Sequence, residues 1–332
     1  MSTPIGKPRV VVTFSPPPPI GDALAETLDG VAELACLPNL EDGERAQALS
    51  SADAVLAWSV DGELRDPDEL PLLESAGLLQ LLSAGVDHVP FDRLDPKLPV
   101  ASNAGAYAPA MAEHVLALAL ALAKRLPQNH AGMAGGEFNQ ESPNRAVRGS
   151  VVGVLGFGGI GQASAELFRS LGARIHAINR SGAAAQPVDW IGTLGELDDL
   201  LATADFLLIT IPLTRATRGL IGGRELSLMK PDAILVNVAR AAILDEDALY
   251  EHLRANPSFS AGIDVWWHEP RHDGSFATRR PFFELPNLLG SPHNSALTLD
   301  ALAEAARQAA ENIARHLRGG PVRHLVDRSD YL

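Results

Sequence analysis

The chain has 332 residues, 46% hydrophobic and 20% charged, with a formal net charge of −14. That length is too great for one ordinary domain and comfortable for two, and the mix is that of a soluble globular protein. The acidic balance argues against nucleic acid as a partner, because phosphate binding needs a basic face. An anionic small ligand needs only local positive charge and stays open.

The N-terminus, MSTPIGKPRV, has no apolar signal core. The longest apolar run, around Val115 to Ala123, is too short to span a bilayer. A cytoplasmic location with no membrane partner is therefore expected, and no metal site is expected. The single cysteine, Cys36, cannot form an internal disulfide; in the apolar stretch 31–37 it reads as a packed core thiol.

In chain order, residues 9–14, 31–36, 54–57 and 78–82 have strand character. Stretches 21–28 and 44–50 between them have helical spacing, and Pro16, Pro17, Pro18 and Pro19 read as a stiff loop. This alternation predicts a parallel sheet wrapped by helices. An Ala- and Leu-rich helix is predicted over 108–126. A second α/β series follows residue 150, with strands at 151–155, 174–178, 206–210, 233–237 and 260–263. Asp245, Glu246 and Asp247 mark an acidic helix start, where carboxylates meet the positive helix end. A last long helix, 298–317, stops at Gly319-Gly320-Pro321.

The sharpest local signal is Gly156-Phe157-Gly158-Gly159-Ile160-Gly161. It follows an apolar strand, opens a helical stretch, and a second strand comes at the right distance, which is the context a dinucleotide fingerprint requires. Gly156 permits the tight turn, Gly158 lets backbone approach a pyrophosphate, and Gly161 lets helix and strand pack closely. The N–H groups at the helix start, including those of Gly159 and Ile160, then bind the anion. The end of the second strand normally carries an acidic residue for the ribose 2′-OH of NAD. Asn179, Arg180 and Ser181 stand there instead. No carboxylate repels a 2′-phosphate and a guanidinium is available to pair with it, so NADP is preferred, with NAD as the alternative.

Three further motifs fall at strand ends: Asn237-Val238-Ala239-Arg240-Ala241, Asp264-Val265-Trp266-Trp267-His268-Glu269-Pro270, and Ser291-Pro292-His293-Asn294. Ligands in open parallel sheets bind beyond the carboxyl ends of strands, so an Arg, a Glu and a His delivered there could converge. With Ala84-Gly85-Val86-Asp87, Asn103 to Tyr107, Ala112-Glu113-His114, Ile211-Pro212-Leu213-Thr214 and Thr217-Arg218-Gly219 in the same order, the chain resembles the D-isomer-specific 2-hydroxyacid dehydrogenase family, in particular its glyoxylate and hydroxypyruvate reductases, over nearly its whole length.

That resemblance implies two Rossmann-like parallel-sheet α/β domains. A flavodoxin-like substrate domain would take residues 1–103 and 296–332, and a dinucleotide-binding domain residues 104–295. It implies an oxidoreductase that moves a hydride between NAD(P)H and C2 of a small 2-keto or 2-hydroxy acid, and a homodimer formed through the cofactor domain. Arg240 would hold the substrate carboxylate, assisted by backbone N–H groups of Ala84, Gly85 and Val86. His293 would be the acid/base on the C2 oxygen, and Glu269 would favour its imidazolium. Asp264 would bind the nicotinamide carboxamide; Ile211, Pro212, Thr217, Val238 and Ala239 would complete the cofactor site. His88, His114 and His268 are not expected to be catalytic. Ala241 departs from the family's usual Gly, where a Cβ could restrict the turn. A formate dehydrogenase would carry Gln in place of Glu269. A rival reading on the same fold is a non-catalytic NAD(H)-sensing, co-repressor-like binding protein.

Overall fold

Every pair of neighbouring strands in the two sheets is parallel. The computed structural model describes residues 7–65 and 68–332, and the chain divides into two units, Met1–Tyr107 with Leu297–Leu332, and Ala108–Ala296.

The first unit holds β1 (Arg9–Val12), β2 (Glu33–Cys36), β3 (Ala54–Ala57), β4 (Leu79–Leu81) and β5 (Val100–Ala101), in the order β2-β1-β3-β4-β5. This is the flavodoxin-like order. Val10, Val11, Val12 and all of β3 are buried, as befits strands covered on both faces. Helices α1 (Pro18–Leu28) and α2 (Asp42–Ser50) connect them. Two of the four prolines are not loop: Pro18 and Pro19 open α1. The first turn has no use for their missing N–H, and their fixed φ is already helical. Cys36 also departs from expectation. It lies on an edge strand and is partly exposed rather than packed in the core, although what burial it has pushes its thiol pKa up. The chain returns to this unit through α10 (Leu299–Leu317), capped by the Thr298 side chain. Its fully buried Ala305, Ala306, Ala309 and Ala310 allow close packing against α1. Buried Asn312 donates to Gln80 (2.7 Å).

The second unit holds β6 (Val151–Leu155), β7 (Arg174–Ile178), β8 (Trp190–Gly192), β9 (Phe206–Ile209), β10 (Ile234–Asn237), β11 (Ser260–Ile263) and β12 (Leu288–Gly290), ordered β12-β11-β10-β9-β6-β7-β8. Chain order reverses between β6 and β9, the switch point where a doubly wound sheet opens a ligand crevice. Helices α3 (Ala108–Ala123), α4 (Leu126–Ala134), α5 (Gly159–Ser170), α6 (Leu197–Thr203), α7 (Gly223–Leu228), α8 (Glu246–Ala255) and the one-turn α9 (Pro270–Asp273) complete it. The single helix expected over 108–126 is broken at Arg125, which turns left-handed (φ 52°). Pro127 explains the break: inside one continuous helix its ring would clash with the preceding turn, whereas it fits the first turn of α4. Among the described residues no helix is long and apolar enough to cross a membrane, and no group of three or more His, Cys, Asp or Glu could hold a metal ion.

Candidate active site

The turn after β6 is shaped by what cannot fit there. Gly156 has φ +107°, and a Cβ on it would lie 2.5 Å from the Ile211 amide nitrogen, at the end of β9. A Cβ on Gly161 would lie 2.3 Å from the Gly156 carbonyl oxygen. Thr210 Oγ1 donates to that same oxygen (2.7 Å), and the Gly156 and Phe157 amides donate to Ile178 O at 3.0 and 2.9 Å. The turn is thus pinned to the ends of β7 and β9. Around Gly158 the space is open: its Cβ would meet nothing within 4 Å. Gly158, Gly159 and Ile160 lead into α5, whose first amides present the donor set an anionic pyrophosphate needs. These residues fit a dinucleotide.

Beyond β7, Asn179 is committed to its own loop. Its Oδ1 accepts from the amides of Ser181 (3.1 Å) and Gly182 (2.8 Å), and its Nδ2 donates to Ala183 O (2.8 Å). Ser181 Oγ lies 3.3 Å from both Asn179 Oδ1 and Ala183 O, and its one proton serves either. Asn179 and Ser181 therefore build the turn, and Arg180 is displayed on it, exposed.

After β10, buried Asn237 folds the next turn by accepting from the Ala239 amide (3.0 Å) and donating to the Arg240 carbonyl (3.0 Å). The Arg240 side chain donates to Ala239 O (2.8 Å). Ala241, at the expected Gly position, opens a 3₁₀ turn with its side chain buried. It is not among the residues with positive φ, so its Cβ meets no left-handed backbone strain.

The third element is a pair. His293 Nδ1 and Glu269 Oε2 are 2.7 Å apart, with side chains 39% and 15% exposed. Glu269 Oε1 accepts from the Trp266 amide (2.8 Å). Burial pushes the Glu269 carboxyl up; the His293 hydrogen bond, the Trp266 amide and the nearby His293 and Arg240 charges outweigh it and hold the carboxyl below its ordinary range. Arg240, Glu269 and His293 are thus brought to one place, and Nε2 is the ring nitrogen of His293 available for proton exchange. His293 itself stands in the left-handed region (φ 52°), a conformation that costs an L-residue about 1–2 kcal/mol. Its amide is held by the Asp264 carbonyl (2.8 Å).

Residues 116–295 match the NAD binding domain of the D-isomer specific 2-hydroxyacid dehydrogenases. The chain belongs to that family. It is 30% identical over 318 residues to the D-3-phosphoglycerate dehydrogenase of Methanocaldococcus jannaschii, an alignment covering 93% of this chain and 58% of that protein; the chain spans little more than half the length of this relative. It is 29% identical over 286 residues to the hydroxypyruvate reductase of Thermotoga maritima, covering 84% and 89% of the two. Among solved structures, the D-isomer specific 2-hydroxyacid dehydrogenase from Xanthobacter autotrophicus Py2, in complex with NADPH and MES, superposes with a TM-score of 0.82 at 26% identity, over 98% of this chain and 100% of that one.

The remaining residues expected at the site are placed as follows. Asp264 is fully buried. Its Oδ1 accepts from Ser291 Oγ (2.6 Å) and the Asn294 amide (3.2 Å), and its Oδ2 from the Ser295 amide (3.2 Å). The carboxylate holds a loop together. Thr217 is also buried. Its hydroxyl donates to Pro212 O (2.7 Å) and accepts from the Thr214 amide (2.8 Å), closing the turn after β9. The Val238 side chain packs in the core, which leaves only its backbone for a ligand. Ile211, Pro212 and Ala239 remain partly or fully exposed at strand ends. Ala84, Gly85 and Val86 belong to the other unit. They follow β4 in a loop where Ser83 Oγ donates to Gly85 O (2.9 Å) and the Asn103 amide to Ser83 O (3.0 Å). Trp266 and Trp267 pack: Trp267 stacks on Phe282 at 5.7 Å and 11°, and Trp266 Nε1 donates to Ser291 O (2.8 Å). Sequence reasoning missed Ser291 and His114, whose Nε2 lies 2.9 Å from Ser291 Oγ. Their partners are distant in sequence, and the one available signal was that both stand inside family motifs.

Proposed function

We propose that this chain interconverts small 2-keto acids and D-2-hydroxy acids, acting as a reductase on glyoxylate- or hydroxypyruvate-like substrates with NADPH preferred over NADH. The His293–Glu269 pair carries the reading, because it delivers a proton donor backed by a carboxylate to the carboxyl ends of a dinucleotide-type sheet. A bound reduced nicotinamide would supply the hydride. His293, oriented by Glu269 at Nδ1, donates the Nε2 proton to the C2 oxygen as that oxygen gains charge; in the reverse direction the ring takes the hydroxyl proton. Arg240 clamps the substrate carboxylate with its planar fork. The preference for NADPH rests on Arg180, an exposed guanidinium where an NAD enzyme places a carboxylate. The NADPH complex of the Xanthobacter relative supports that choice.

The test is a panel of 2-keto acids, including glyoxylate, hydroxypyruvate and 3-phosphohydroxypyruvate, followed by loss of reduced-cofactor absorbance with NADPH and NADH in parallel. Turnover of the small, unphosphorylated acids, fastest with NADPH, is expected. Tight cofactor binding without turnover of any acid would overturn the reading in favour of a cofactor-sensing protein.

A further inference from the structure

Three consecutive amides of the loop that carries the acid/base histidine end on one residue. The His293 amide donates to the Asp264 carbonyl (2.8 Å), the Asn294 amide to Oδ1 (3.2 Å) and the Ser295 amide to Oδ2 (3.2 Å). Asp264 is wholly shut off from solvent, so its carboxylate has to be satisfied from within the chain. Ser291 Oγ supplies its shortest bond, at 2.6 Å. A hydroxyl has one proton, and Ser291 spends it on the carboxylate. The 2.9 Å contact between Ser291 Oγ and His114 Nε2 must then be donated by the imidazole. His114 thus carries a proton on Nε2, 3.6 Å from Asp264 Oδ1.

We propose that His114, carried on α3, is a positioning residue for the His293–Glu269 pair, acting through Ser291 and Asp264 on the backbone of the 291–295 loop. It rests on the reductase reading above. A left-handed histidine relaxes to extended backbone unless its surroundings over-determine it. Here the determination comes from Asp264, and Asp264 is kept in register by a serine whose remaining hydrogen-bonding capacity His114 fills. If the Nε2–H donor is lost, Ser291 can turn, Oδ1 loses its strongest partner, and the His293 ring is no longer held at 2.7 Å from Glu269. His114 contacts Ser291 and lies beside Asp264; its effect is on where the pair stands.

The test uses the full chain as wild type, His114→Ala, Ser291→Ala, the double variant and His114→Gln. The Gln amide supplies an N–H donor of similar reach. The readouts are kcat and KM for the best 2-keto acid, cofactor Kd by fluorescence titration, and hydrogen exchange at the amides of 293–295. Each Ala variant should lose about tenfold to a hundredfold in kcat, the scale of a slightly misplaced catalytic group, with KM and cofactor Kd near wild type. The double variant should be no worse than the poorer single one, because both act along one chain of bonds. His114→Gln should recover most of the loss. Exchange at 293–295 should quicken in both Ala variants, while the β6–α5 turn exchanges as before. Additive losses, a Gln variant as impaired as the Ala variant, or unchanged kcat and exchange in His114→Ala would each overturn the proposal. If the wild type turns over no 2-keto acid, the exchange measurement alone decides the network, and that failure falls on the proposed function instead.

Discussion

Two turns of the second unit are built by opposite means. The 156–161 turn after β6 is defined by absent side chains: a Cβ at Gly156 or Gly161 would sit at 2.5 or 2.3 Å from backbone atoms. The 291–295 loop after β12 has no glycine, and it forces a histidine to φ +52° with bonds to one buried aspartate. The first turn needs room for a ligand to approach, and residue type alone supplies room. The second needs a side chain held at a fixed angle, and only surrounding bonds supply that. The contrast teaches where substitutions will act: the glycine turn fails by collision, the histidine loop by release.

The largest effect is expected at the loop's functional end. His293→Ala should lower kcat by about a hundredfold to ten-thousandfold, the usual contribution of a positioned general acid, with cofactor Kd little changed. Near-normal turnover by initial rates would remove His293 from the chemistry. Next comes the edge of the dinucleotide site. One charge-assisted bond from Arg180 to a 2′-phosphate contributes about 1.5–3 kcal/mol, roughly a tenfold to hundredfold preference. Arg180→Ala should therefore collapse the NADPH-to-NADH ratio of kcat/KM and spare NADH use. A ratio left intact would show that this strand end does not read the phosphate.

The glycine turn itself gives a paired prediction. Gly156→Ala adds a Cβ against the Ile211 backbone on a positive-φ residue, so it should destabilise the fold by about 1–3 kcal/mol. Gly158→Ala adds a Cβ to open space and should leave Tm near wild type while weakening cofactor binding. Thermal melts with and without cofactor separate the two, and equal Tm losses would contradict the collision account.

The smallest effect is in the pH profile. The Glu269 carboxyl lies below its ordinary range because His293, Trp266 and Arg240 outweigh its burial. The sign follows: the pair contributes stability above the carboxyl's unfolded pKa and loses it as pH falls through the lowered folded value. Wild type should therefore keep the pair well into acid, while Glu269→Gln removes this source of acid loss from the melting profile. A Glu269→Gln protein whose Tm still falls as steeply over the same acid range would contradict the lowered carboxyl.

The sequence by itself determined the features that depend on local residue type. Parallel strands read as apolar runs because they are covered on both faces, and the long runs at 54–57, 151–155, 174–178 and 260–263 match observed strands residue for residue. The strands β5, β8 and β12, two or three residues long, show no period to detect. The fingerprint was legible because glycine is irreplaceable at its turn, and Arg240, Glu269 and His293 were singled out because each stands inside a motif of the family that the chain resembles. What only the tertiary structure decided were roles that depend on partners far along the chain. Asp264 and Thr217 each hold a loop together through bonds that their motifs do not announce. Pro18 and Pro19 looked like loop and begin a helix. His114 meets Ser291 across 177 positions of sequence. A hydrogen bond is directional and short-ranged, so which donor satisfies which buried acceptor is set by the packing of whole elements, and no local pattern of residues encodes it.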